Sequence, residues 1–310
     1  MRTTSIHTAL IALVVAVAIL ASGCGSPSPG DAAPTDEPTT TTVAPTTTVD
    51  RPTAPVDELV AIDGGRMHLR CVGSGATTVL LIAGWGNGGE SWGAIEPAIA
   101  ERARVCSYAR FGTGTSDPQT TTQTFATQAA DLHALLDAAG EPGPYVLVGH
   151  SFGGPESVTF ASRYPDEMVG LMLLDASPAT WPATACSVPD DGSEAARSFA
   201  QGCALMKDPA SDPERLDAFA AFAEVAAITS LVDLPMTVVS AAQRTLPGLT
   251  PSEVTRLNAA WTDGIDHWAA LSTSSSVVII EDTGHHIEID QPTAVIEQVR
   301  RLLAESVSRS

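Results

Sequence analysis

Lysine is almost missing from this chain, with Lys207 its single representative. Basic residues of both kinds number 16 against 36 acidic ones, giving a net charge of −20. A surface of that sign repels phosphate backbones and anionic lipid, so nucleic-acid binding is not expected. The charge reads most simply as a source of solubility. Aromatic residues are also scarce, at 5%, although apolar residues reach 44%. The core must then be built mainly from Ala, Val, Leu and Ile. At 310 residues there is material for one large domain or two small ones. No spacing of His, Cys and Asp has the form of a metal site, so neither a metal nor a cofactor is expected.

A long membrane span is lacking as well. The uncharged apolar run 9–21 is too short to cross a bilayer as a stable helix, but behind Arg2 it suits a signal peptide. Ala21-Ser22-Gly23-Cys24 then resembles a bacterial lipobox, in which the cysteine is lipidated and heads the mature chain. Residues 25–56 follow, with seven Pro and nine Thr and almost nothing large and apolar. Such a stretch cannot bury a core and reads as a disordered tether. The expected organisation is a signal segment over 1–24, a linker over 25–56 and a folded domain over 57–310. On this reading the protein is exported and held at the outer face of a bacterial membrane only through a lipid anchor at Cys24, the alternative being ordinary secretion with Cys24 as a passenger. Four cysteines remain, Cys71, Cys106, Cys186 and Cys203. An even number in an exported chain implies two disulfides.

From residue 57 short apolar runs alternate with helical spacing. Strands are expected at 67–71, 78–82, 104–108, 145–148, 171–174, 236–240 and 277–280, and helices at 122–139, 153–163 and 293–304. This rhythm predicts an α/β fold with a mostly parallel sheet covered on both faces. Residues 179–232 break the rhythm with Ala-rich helical sequence. They read as a cap inserted over the C-terminal edge of the sheet, where such folds bind ligands. Phe199, Leu205, Met206, Phe219 and Phe222 are its candidate pocket or packing residues.

Three segments carry chemistry. Gly149-His150-Ser151-Phe152-Gly153 fits G-x-S-x-G, a sharp strand-to-helix turn that lifts a serine hydroxyl to a helix N-terminus. Unpaired N–H groups there favour developing negative charge. Leu80-Leu81-Ile82-Ala83-Gly84-Trp85-Gly86 is a strand ending in a glycine turn. The Trp85 N–H, with that of Phe152, would form an oxyanion hole. Asp282-Thr283-Gly284-His285-His286 follows the last strand and offers a general base. Of the remaining histidines, His133 sits on a helix, His267 lies between tryptophans and His150 is the variable position of the elbow.

Together these segments resemble the α/β-hydrolase superfamily over residues 60–305. Tyr108-Ala109-Arg110-Phe111-Gly112-Thr113-Gly114-Thr115-Ser116, the stretch 144–154 and Gly284-His285 with Asp290-Gln291-Pro292 carry the likeness. Ala83 and Ala109 depart from the His and Asp frequent at those positions. The resemblance implies an eight-stranded sheet, Ser151 as nucleophile and His285, the partner of Gly284, as base. It also makes Cys71 and Cys106 neighbours on antiparallel strands. Cys186 and Cys203, both in the insertion, are left to pair with each other. The usual acid position, the loop after Ser240, holds no carboxylate. Some members take the acid from the end of the sixth strand, here Asp175. The alternatives Glu253, Asp263 and Asp266 lie later, in helical sequence, and Asp175 could merely cap its strand.

The implied function is hydrolysis of a carboxylic ester, or of a related small-molecule acyl substrate, through an acyl-enzyme. A serine at the elbow argues against the dehalogenases and epoxide hydrolases of this fold, which use aspartate there. The competing expectation, a binding protein that keeps the fold without catalysis, would be supported by loss of Ser151 or His285, and neither is lost.

Overall fold

The computed structural model describes residues 51–242, 244 and 246–307. The signal segment, Cys24 and the linker up to residue 50 lie outside them. Eight strands and nine helices are found among the described residues. In chain order they are β1 (Val56–Ile62), β2 (Gly65–Val72), β3 (Thr78–Ile82), α1 (Glu96–Ala100), β4 (Arg104–Tyr108), α2 (Phe125–Ala139), β5 (Tyr145–His150), α3 (Gly153–Arg163) and β6 (Met168–Leu174). Then come α4 (Trp181–Ala185), α5 (Glu194–Lys207), α6 (Ala218–Ala226), β7 (Met236–Ala241), α7 (Pro251–Ala269), β8 (Ser275–Ile280), α8 (Ile287–Asp290) and α9 (Pro292–Val307).

The strands form one sheet in the order β1-β2-β4-β3-β5-β6-β7-β8. Only β1–β2 and β2–β4 are antiparallel pairs; the rest run parallel. In β3, β4 and β5 every residue is buried, because helices cover both faces. Alternation along each strand splits the core in two. Leu80, Ile82, Tyr145 and Leu147 face α2, α3 and α6, whereas Val79, Leu81, Val146 and Val148 face α1 and α9. This two-faced burial explains why these strands read as continuous apolar runs.

Three readings of the sequence need correction. The strand β1 was not expected, because Asp57 and Glu58 interrupt its apolar pattern; it is an edge strand whose charged residues face solvent. Ordered packing also begins before residue 57. Arg51 donates to the carbonyls of Pro142 and Gly143, and the Ala54 carbonyl accepts from buried Arg104. Residues 51–56 therefore belong to the fold despite their prolines. The long helix starts at Phe125 rather than 122, since Thr124 and Thr127 close a capping box.

Both disulfides are present. Cys71 and Cys106 are register partners on antiparallel β2 and β4, with Cα atoms 4.1 Å apart. Cys186, just past α4, joins Cys203 of α5. In a chain-entropy model, loops of 35 and 17 residues correspond to about 3–4 kcal/mol each.

Candidate active site

The strands β5, β6 and β7 end side by side, and the turn after each delivers a piece of the site. After β5 the chain turns at Ser151, which adopts φ +54°, a left-handed conformation uncommon for a residue with a Cβ. The turn holds only because its neighbours are small: a Cβ on Gly153 would overlap the Ile82 carbonyl. Ser151 thus stands half-buried at the start of α3, and its Oγ lies 3.0 Å from Nε2 of His285.

After β6 comes Asp175, only 1% exposed and also left-handed, at φ +41°. Its N–H donates to the Val239 carbonyl of β7, which fixes the residue at the strand end. Its Oδ2 accepts from Nδ1 of His285 at 2.6 Å. Oδ1 accepts from the Ser240 hydroxyl at 3.0 Å and the Ala241 N–H at 3.2 Å. The guanidinium of Arg244 grips the carboxylate along one edge, with Nε 3.0 Å from Oδ2 and Nη2 on Oδ1. Burial pushes this carboxyl up, but the His285 and Arg244 donors outweigh it and hold the group below the ordinary aspartate range. An ionised Asp175 requires the proton on Nδ1 of His285, so Nε2 is free to accept from the Ser151 hydroxyl.

The other candidate acids lie elsewhere. Glu253 closes a capping box with Thr250 at the start of α7, while Asp263 and Asp266 are on the solvent face of that helix. The sequence alone left the choice open because the usual loop after Ser240 holds no carboxylate and these three are the next acids along the chain. Asp175 is distinguished by the strand order, which places β6 beside β7.

His150 and His286 flank the site without entering it. His150 is buried, and its Nε2–H donates to the His285 carbonyl at 2.9 Å, tethering that loop. Burial, with His285 and His286 nearby, pushes its imidazole down to about 3, so it is neutral at physiological pH. His286 is half exposed and pairs with Glu288 at 3.0 Å. His150, His286 and Glu288 lie close enough together to suggest a metal cluster. The His150 nitrogen that faces it, however, must carry a proton to bond a carbonyl.

The turn after β3 runs against the elbow: a Cβ on Gly84, the residue before Trp85, would lie 3.1 Å from the Ser151 Cβ. Neither the Trp85 N–H nor that of Phe152 donates to a partner among the described residues. The two side chains stack, with centroids 5.3 Å apart and planes 6° from parallel. A buried polar network, which the sequence reading missed, holds this turn. Arg110 donates to the carbonyls of Ala83 at 3.0 Å and Gly84 at 2.6 Å. The same guanidinium pairs with Glu156 of α3 at 3.1 Å and Glu214 at 2.7 Å. Glu214 also accepts from the Gly86 N–H at 2.6 Å, and Asp212 accepts from the Trp85 indole at 3.1 Å. Both acids come from the segment between β6 and β7, so that segment is tied to the turn. Arg110 stood in a recognised stretch, but nothing in one sequence paired it with acids 46 and 104 residues away.

A cavity of about 200 Å³ opens beside Ser151 and His285, walled by Trp181, Phe199, Leu246, Leu257 and Trp261, with Arg244 and Asn258 at its side. A second groove on the other side of Trp181 and Phe199 meets Trp85, Phe152 and Met206. Of the expected cap residues, Phe222 packs into the core, the packing role allowed for it, whereas Phe219 is exposed. A larger cavity of about 610 Å³ borders Met168 and Pro235, at the opposite ends of the strands from Ser151.

Residues 77–238, more than half of the chain, match the family model described as the alpha/beta hydrolase fold. The chain belongs to the α/β-hydrolase family. Among curated members it is 36% identical over 110 residues to lipase LipV of Mycobacterium tuberculosis, covering 35% of this chain and 41% of that one. It is 31% identical over 115 residues to the uncharacterized YqjL of Bacillus subtilis, covering 37% and 46% respectively. The matched region is less than half the length of these curated relatives. Among solved α/β-hydrolase structures, a thermophilic esterase from Thermogutta terrifontis aligns over 82% of this chain and 99% of its own. Its TM-score is 0.56 at 24% identity, a likeness of fold.

Proposed function

We propose that this α/β-hydrolase is a serine hydrolase that cleaves carboxylic esters, or related acyl substrates, through an acyl-enzyme. The observation that carries the reading is the unbroken chain of hydrogen bonds Ser151–His285–Asp175, opening on an apolar cavity. Ser151 attacks the substrate carbonyl while His285 Nε2 takes the hydroxyl proton. Asp175 keeps the imidazole in the tautomer that can accept it and stabilises the imidazolium. The N–H groups of Trp85 and Phe152 hold the developing oxyanion. His285 then protonates the leaving alcohol, and water repeats the sequence to release the acid. The small apolar cavity favours short or medium acyl groups. The two disulfides favour an oxidising compartment, in keeping with export and a lipid anchor at Cys24.

The test is labelling with a fluorophosphonate probe alongside turnover of p-nitrophenyl butanoate. Labelling at Ser151 and turnover are both expected, and both should vanish in Ser151→Ala and His285→Ala. Folded protein that neither labels nor turns over would point instead to a binding protein retaining the fold.

A further inference from the structure

The cavity beside Ser151 contains a charge that the hydrolytic scheme does not use in full. Arg244 sits between Asp175 and the apolar wall, its side chain 10% exposed. Its guanidinium lies over the ring of Trp261 at 4.3 Å, which fixes the plane of the group. Nε and Nη2 form one edge of that plane, and both are spent on Asp175 and Ser240. The geometry of a guanidinium then turns Nη1 away from Asp175. Among the described residues Nη1 has no hydrogen-bond partner, and Arg244 is part of the cavity lining. Apart from Asn258, Ser177 and the Ser151–His285 pair the lining is apolar, and an N–H pair left without a partner beside such a space is costly unless one arrives with the ligand.

We propose that Arg244 is a specificity-determining residue and that the acyl pocket is built for acyl groups carrying a neutral oxygen acceptor, such as a ketone or amide carbonyl, along the chain. The proposal rests on the reading of Ser151 as nucleophile, and it assigns the acyl group to this cavity, lined by Ser151 and His285, and the alcohol to the groove beyond Trp181 and Phe199. Charge balance selects a neutral acceptor over a carboxylate. Asp175 already matches the charge of Arg244, so a carboxylate would bring an uncompensated negative charge into a space walled by Trp181, Phe199, Leu257 and Trp261. A carbonyl dipole meets Nη1 at no such cost. Burial has already lowered the affinity of this guanidinium for its proton, with Asp175 opposing the shift.

The experiment compares p-nitrophenyl esters matched in length: 4-oxopentanoate against pentanoate, and 5-oxohexanoate against hexanoate, each corrected for its hydroxide-catalysed rate. The hemiester of glutaric acid supplies the carboxylate arm. A hydrogen bond from a charged donor predicts kcat/KM higher by about tenfold or more for at least one oxo ester. The glutarate ester should fall below pentanoate. Arg244→Lys keeps a cation on Asp175 but loses the fork, so it should remain folded and lose the oxo preference. Arg244→Met should lose it too, with lower turnover of every ester. An oxo-to-alkyl ratio near one in the wild type, or a ratio unchanged in both variants, would overturn the proposal. So would a preference for the glutarate ester. Equilibrium binding of ethyl 5-oxohexanoate and ethyl hexanoate to Ser151→Ala reads the same preference without chemistry. Failure of the nucleophile assignment is thereby separated from failure of the pocket assignment.

Discussion

Replacing Arg110 by Met removes the only cation among the described residues that contacts the buried carboxylates of Glu156 and Glu214, and the consequences can be worked out from the contacts. The side chain is 6% exposed, Glu156 is 1% and Glu214 is 2% exposed. Taking one partner from a buried ion pair costs about 3–5 kcal/mol, because the remaining charge has neither water nor counterion. The carbonyls of Ala83 and Gly84 lose their donor in the same step. In a domain of this size 1 kcal/mol moves the melting temperature by about 2–4 °C. A fall of about 10–15 °C at pH 7 is therefore expected by calorimetry. The pH dependence has a definite sign. Burial already holds the Glu156 carboxyl above its ordinary value, with Arg110 opposing that shift. Without the cation its folded value rises further. A carboxyl whose folded value exceeds its unfolded value of about 4.3 stabilises the fold when protonated and loses that contribution as pH rises. The deficit in Arg110→Met should thus shrink from pH 8 to pH 5. Adding Glu214→Gln should restore part of the loss, as expected of coupled neighbours. Ester turnover should fall about 100-fold even in the folded fraction, the scale of losing one oxyanion donor, because the Trp85 turn loses its anchor. A melting temperature within about 3 °C of wild type, or a deficit that widens on acidification, would refute the reasoning.

Two further outcomes follow from the same geometry. Asp175→Asn should keep the fold and lose turnover on the order of 10⁴-fold, the loss known for the equivalent exchange in serine proteases; near-normal kcat, with collapse in Asp263→Asn or Asp266→Asn, would move the acid to α7. Burial and the nearby Asp63 push the Asp131 carboxyl up to about 6, so the wild type loses stability as pH rises through that value. Asp131→Asn should melt higher than wild type at pH 7.5, and a gain of equal size at pH 4 would contradict this origin.

Much of the architecture was legible because local patterns and global burial agree here. The runs 78–82, 104–108 and 145–148 read as buried strands because both faces of the sheet are covered, and their bounds differ from the structure by at most two residues. The elbow was legible for a steric reason: only glycine tolerates the approach of Gly153 to the Ile82 carbonyl. The strand β1 was not legible, because an exposed edge does not need an apolar pattern. The carboxylate that meets His285 was legible only as one of several. Asp175 carries the same chemistry as Asp263 in the sequence, and what separates them is the adjacency of β6 and β7.

The sequence by itself determined most of the secondary elements, the serine turn and the histidine after the last strand. These depend on backbone sterics and on hydrophobic period within a few residues, and so are written locally. Tertiary structure decided which carboxylate meets His285, and that Arg110 clamps the turn before Trp85 to acids from two other segments. It also decided that Arg244 stands between Asp175 and the cavity. Each of these joins groups distant in the chain. Buried charges have to be matched in space, and the partner of a charge is set by the strand order rather than by its neighbours in sequence.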